Sequence, residues 1–150
     1  MRINAFLQQS PMFAVNCAAR QFNALAERAL AADGLNFMEG LVLAAIFFDA
    51  PRQIKPSQLA QTFATTRGNI SHSISSLEAK GLLQRRIDPA DARGYLLTLT
   101  STGKKSAMRV IRALDRIQQT FEKQVGKTAL AEALNVLQSL QAIASSAIRS

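Results

Sequence analysis

From Phe6 to Ala32 apolar residues return every three or four positions (Val15, Ala18, Phe22, Leu25, Ala29), the period of one helix face. Pro11 either kinks this helix or marks its true start, and Asp33-Gly34 stops it. Asn36 with Glu39 three residues on reads as a capping box for a helix over Phe37 to Asp49. That helix is apolar almost all round (Leu41, Val42, Leu43, Ile46, Phe47, Phe48), which predicts burial. After a loop at Ala50 to Gln53, Pro56 opens a short helix over Ser57 to Phe63. Ala64-Thr65-Thr66 turns the chain, and a longer helix follows from Thr66 to Lys80, with Ile70, Ile74 and Leu77 facing a core. Gly81 ends it with a left-handed cap. Leu82 to Ile87 and Tyr95 to Leu99 read as strands, with the turn between them marked by Asp88-Pro89 and Arg93-Gly94. A further helix starts at Thr100 to Gly103 and carries Ala107, Val110, Ile111, Leu114, Ile117 and Phe121 on one face. Gly126-Lys127-Thr128 breaks it, and a last helix runs from about Ala129 to Ile148.

Helix, tight turn, helix and hairpin make a winged helix-turn-helix, a unit that puts its second helix into the DNA major groove. The expected fold is mainly α (α+β), with the winged helix-turn-helix over residues 35–103. The regions 1–34 and 104–150 lie outside that unit, yet each carries a broad apolar stripe that one winged helix cannot cover. The economical reading makes them dimerisation helices that interleave with those of a second copy; a monomeric helical bundle is the alternative. A two-fold homodimer presents two recognition helices about one DNA turn apart (roughly 34–36 Å) and suits a pseudo-palindromic site.

Opposite the apolar stripe of the Thr66 to Lys80 helix lie Arg67, Gly68, Asn69, Ser71, His72, Ser75 and Ser76, with no acid before Glu78. A solvated helix face ordinarily carries Glu and Lys at i,i+4 spacing. A face that approaches a polyanion avoids carboxylates, and Asn pairs bidentately with adenine. A Ser-rich surface helix with no partner would read the same way.

Charge changes this picture in one direction. The net charge is +8, and between Pro51 and Arg116 there are twelve basic and four acidic residues, while the remainder is neutral. Positive charge gathered on the proposed winged helix is the footprint of phosphate binding rather than of general solubility. Double-stranded DNA is therefore the expected partner. Lys55, Lys80, Arg85 and Arg86 are candidate phosphate contacts, with Ser57 at the start of the short helix. The N-terminus lacks the apolar run of a signal peptide, and the longest apolar run, Leu41 to Phe48, is too short to span a bilayer. A single cysteine excludes an internal disulfide and fits a reducing compartment, so the expectation is a cytoplasmic protein with no membrane partner.

The chain resembles the MarR family of transcription regulators. The likeness runs through LAQTFATTRGNISHSISSLEAKGLLQRR and then DPADARGYLLTLTSTGKK. The family's pattern has a Leu-Ala opening, Ser/Thr-Arg at the recognition helix, Leu-Glu-x-x-Gly-Leu at its end, Asp-x-Arg in the wing and Leu-Thr before a Gly. Here these are Leu59-Ala60, Thr66-Arg67, Leu77-Glu78 with Gly81-Leu82, Asp91 and Arg93, and Leu99-Thr100 with Gly103. The resemblance implies an obligate dimer on a pseudo-palindromic promoter site, usually repressing until a ligand or oxidation relieves it. The DNA-binding set is then Thr66, Arg67, Asn69, Ser71, His72, Ser76, Arg86, Asp91 and Arg93. Arg93, at the wing tip, is suited to a narrow minor groove, and Asp91 to pairing with an arginine that shapes the wing. Many relatives carry Arg where this chain has His72, so operator preference does not transfer.

In similar proteins effectors sit where the dimer helices meet the winged helix. Phe13, Phe22, Phe37, Met38 and Phe47, with Arg20 for a carboxylate, are the candidates for a small apolar or aromatic-acid effector, although the plainer reading is that they are core. Some relatives sense hydroperoxides through an N-terminal cysteine held by tyrosines; Cys17 is displaced from that location, and the sole tyrosine is Tyr95. A redox switch at Cys17 and a protein-binding winged helix stand as alternatives. One histidine precludes a His-based metal site from one chain, no cofactor motif is present, and no grouping of carboxylates or of Ser, His and Asp suggests catalysis.

Overall fold

The computed structural model describes residues 2–89 and 91–149, with the side chains of Arg2, Asp91, Ala92, Arg93, Ile148 and Arg149 outside that description. Two compact units divide the chain, residues 1–113 and 114–150. The first unit contains α1 (Arg2–Gln8), α2 (Pro11–Leu30), a 3-10 turn (Ala31–Asp33), α3 (Phe37–Asp49), α4 (Pro56–Thr62), α5 (Arg67–Ala79), β1 (Leu83–Asp88), β2 (Asp91–Leu99) and the start of α6 (Ser101–Val125). The second contains the rest of α6 and α7 (Lys127–Arg149). Helices and one small antiparallel hairpin make the mainly α winged helix expected.

Pro11 is a start rather than a kink. Ser10 stands at the N-cap of α2 and its hydroxyl accepts a bond from the Phe13 N–H at 3.3 Å, with Pro11 where no N–H is needed. The stripe along α2 is largely exposed within one chain: only Ala26 and Leu30 are buried, and Phe22 is 54% exposed. The α3 capping box forms in both directions, Asn36 Oδ1 accepting from Glu39 N at 2.8 Å and Glu39 Oε2 from Asn36 N at 2.9 Å. Burial of α3 is not complete. Val42, Leu43, Ala44 and Ile46 are buried, but Phe48 is 71% exposed, because thirteen residues of helix turn every face outward in succession and neighbours cover only some of them.

The core of the first unit gathers on α5. Ile70, Ile74 and Leu77 are fully buried, beside Leu30, Leu43, Leu59, Leu83 and Leu97. Each such side chain contributes about 1.5–3 kcal/mol by leaving water. Gly81 takes the left-handed conformation that ends α5, at φ 68°. The start of α6 is locked onto that end. Thr100 Oγ1 donates to Gly81 O at 2.8 Å and accepts from Gly103 N at 2.9 Å, and a Cβ on Gly103 would collide with the Leu82 carbonyl.

The hairpin departs from expectation. β2 begins at Asp91, so Arg93-Gly94 lies inside the strand rather than in the turn. Ile87 pairs with Tyr95 and Asp88 with Asp91, which leaves Ala92 to Gly94 as a bulge. Arg93 therefore stands in a bulge and not at the tip, because pairing beyond the bulge outweighs the local turn signal. Ile54 bridges to Leu97 at the other edge of β2. In the second unit Gly126, at φ 90°, alone breaks the two helices, and α7 already begins at Lys127. Among the described residues no single helix is long and apolar enough to cross a membrane.

Candidate nucleic-acid interface

α5 presents one polar edge. Thr66 Oγ1 accepts from Asn69 N at 3.1 Å, which caps the helix and fixes where its first turn points. Arg67, Asn69, Ser71 and His72 are exposed along that edge, while Ser76 is half-buried. Asn69 Nδ2 donates to Thr65 Oγ1 at 3.0 Å, which uses one of its two amide hydrogens and leaves the second hydrogen and the oxygen for other partners. Ser73, on the inner side, returns its hydroxyl to Asn69 O at 3.1 Å and is buried. Short side chains and the absence of a carboxylate from Arg67 through Leu77 leave room for a backbone of phosphates.

Three of the candidate phosphate contacts are engaged inside the fold. Lys80 Nζ lies 2.8 Å from both Glu39 oxygens and 2.8 Å from Gly34 O. Lys55 Nζ stands 2.7 Å from Oδ2 of the buried Asp88. Arg85 donates from Nη2 to Ser75 Oγ at 2.7 Å, approaches Glu78 Oε2 at 3.3 Å and lies 5.1 Å from the centre of the Tyr95 ring, so it holds the hairpin against α5. Ser57 is exposed in the first turn of α4. Arg86 alternates to the other face of β1 from Arg85 and lines a cavity there. Asp91 and Arg93 belong to β2 by backbone, and their side chains lie outside the described residues.

Glu39 is the buried acid of this region. Burial pushes its carboxyl up, but hydrogen bonds from Lys80, Ser76 and the Asn36 N–H, together with the Lys80 charge, outweigh that and hold it below the usual carboxylate range. It thus stays ionised and ties the end of α5 to the start of α3. Sequence alone did not single out Glu39 for this, since forty-one residues separate it from Lys80.

The six effector candidates are not gathered in one place. Phe47 lines a cavity of about 490 Å³ formed by the end of α3, the following loop, the hairpin and the start of α6. Phe13 lies instead on a smaller depression with Asn4, Leu7 and Cys17. Phe22 is exposed, and Phe37 and Met38 are half-buried at the start of α3. Arg20 donates to Cys17 Sγ at 3.3 Å, which sets a cation beside the thiol at i,i+3 spacing on one helix. Among the described residues no three His, Cys, Asp or Glu side chains converge on a metal-sized space.

Comparison with known proteins matches residues 33–94 to the MarR family. PapX of Escherichia coli, an HTH-type transcriptional regulator, is 31% identical over 92 residues, which cover 61% of this chain and 54% of PapX. The chain spans about half the length of the curated relatives it matches. In the solved complex of S. aureus MepR with DNA, the protein is similar with a TM-score of 0.82 at 18% identity, over 89% of this chain and 97% of that one. The transcriptional repressor CouR, bound to a 23-mer DNA duplex, gives 0.80 at 22% identity over 90% and 94% of the two chains. At such identities the likeness is one of fold.

Proposed function

We propose that this chain, whose residues 33–94 match the MarR family, binds double-stranded DNA sequence-specifically as a transcription regulator, with α5 in the major groove. One observation carries this reading: the exposed edge of α5 offers Arg67, Asn69, Ser71 and His72 with no carboxylate among them, on a helix whose other side is fully buried. Such an edge meets negative charge without repulsion and has donors and acceptors for base edges. Arg67 and Ser57 are the outward phosphate contacts in this account. Lys55, Lys80 and Arg85 chiefly position the elements that carry them, because their charges are met by Asp88, Glu39 and Glu78. That PapX is a regulator supports the regulatory role, and the structural likeness to CouR, a repressor seen on duplex DNA, is what favours repression over activation.

We further propose a homodimer. Phe22 and Leu25 on α2, and Leu134, Val136, Leu137 and Ile143 on α7, are all 39% or more exposed in the single chain. Apolar surface of that extent is ordinarily covered by a partner, and a twin copy supplies matching helices. The test is selection of bound fragments from a pool of random duplexes, followed by sedimentation of the complex. An inverted-repeat consensus bound by two chains supports the reading. Failure to enrich any sequence, with the protein folded, overturns it.

A further inference from the structure

The cavity of about 490 Å³ at the end of α3 has a chemistry that the DNA-binding account does not use. Three cationic side chains line it, Arg52 from the loop after α3, Arg86 from β1 and Lys104 from the first turns of α6. Among the described residues no carboxylate lines it, although nearby Asp88 on the hairpin meets Lys55 and Glu78 on α5 meets Arg85. Its remaining wall is largely apolar, with Ile46, Phe47 and Pro51. Gln84 and Thr98, which pair across the hairpin, add polar groups.

Gln84 and Arg86 enter the cavity from the side of β1 turned away from α5, while Leu97, the partner of Arg85, enters from the other. Arg85 turns to α5, where it bonds Ser75, so its neighbours Gln84 and Arg86 project from the opposite side of the strand.

We propose that this cavity is a binding site for a small organic phosphate, an apolar body carrying a phosphate monoester or diphosphate. The charge sets the class. Three cations lining one cavity with no carboxylate among its described lining residues repel one another, and a single carboxylate would offset only one of them. A phosphate monoester carries about −1.5 to −2 at neutral pH and three acceptor oxygens. Two arginine forks and a lysine suit those oxygens, the forks by paired N–H bonds and the lysine as a point charge. The volume sets the rest. Ligand sites commonly span about 300–1,000 Å³, and a bare phosphate would leave the Phe47 and Ile46 wall wet.

The test titrates 1-naphthyl phosphate into the full chain without DNA, read by naphthalene fluorescence, which the absence of tryptophan leaves unobscured. 1-Naphthoate, 1-naphthalenemethanol and inorganic phosphate are run alongside. The site predicts saturable binding of 1-naphthyl phosphate at least tenfold tighter than that of any of the three. Arg52→Gln and Lys104→Gln should each weaken it tenfold or more, with melting temperatures confirming the fold. Thr98→Phe, which keeps every cation but fills the space, should abolish it. No saturable binding, an equal affinity for 1-naphthoate, or binding that survives all three variants overturns the proposal. Because DNA is absent throughout, these results stand apart from the test of duplex recognition.

Discussion

Lys80 at the end of α5 and Glu39 in the first turn of α3 form a chelated pair, the ammonium 2.8 Å from both carboxylate oxygens. Glu39 also accepts from the Asn36 N–H, and Lys80 also donates to Gly34 O, so one ion pair joins the cap of α3, the end of the 3-10 turn and the end of α5. The angle at which α5 leaves the core is held by this junction rather than by α5 alone. Lys80→Met should cost about 2–3 kcal/mol, somewhat less than a fully buried pair because part of the Lys80 side chain meets solvent. Chemical denaturation of the variant and the parent checks this.

The same pair gives a pH dependence with a definite sign. The Glu39 carboxyl is held below its ordinary value in the folded chain, so the unfolded chain takes up the proton first. Its contribution to stability is fully present above the unfolded carboxyl value, and is lost as pH falls through the lower folded value. Glu39→Gln should therefore be less stable than the parent at neutral pH, and the gap should narrow with acidification. A gap independent of pH in paired denaturation series would contradict the assignment.

Thr66→Ala should remove the cap of α5 and cost about 1 kcal/mol, with Thr66→Ser recovering most of it. Circular dichroism melts measure the stability. Hydrogen exchange at Asn69 and Ile70 should report the loosened first turn.

Gly103→Ala should be far more damaging than Gly40→Ala. At Gly103 the added methyl meets the Leu82 backbone carbonyl, which cannot move without breaking the contact of α6 with the end of α5. At Gly40 it meets Leu30 Cδ1 at 2.6 Å, the end of a side chain that can turn aside. We expect a loss of about 3 kcal/mol or more for the first and about 1–2 kcal/mol for the second, read from denaturant midpoints.

On DNA, Asn69→Ala and His72→Ala should change preference at particular base positions, by about 1–3 kcal/mol for each lost bidentate contact. Arg67→Gln should weaken all duplexes alike. Competition among duplexes that differ at single positions separates the two patterns.

Elements whose signals are local were readable in the chain. Asn36 and Glu39 cap each other across three residues, Gly81 needs only its own backbone, and Ile70, Ile74 and Leu77 declare a face by spacing. The exposed residues of α5 followed from that face by subtraction. What could not be read depends on partners remote in sequence. Lys80 and Arg85 look like surface cations until Glu39, Ser75 and Glu78 are brought beside them. Phe48 looks like core until the covering elements are counted, and Arg93-Gly94 looks like a turn until the bulged pairing of β2 is known.

The central claim is that α5 lays a carboxylate-free edge on duplex DNA, and the salt dependence of binding tests it most directly. With a selected duplex, log affinity should fall linearly with log salt, at a slope of about −0.9 for each phosphate contacted, and Arg67→Gln should reduce the slope by about one. Affinity indifferent to salt, or a slope unchanged when Arg67 is replaced, would contradict the account.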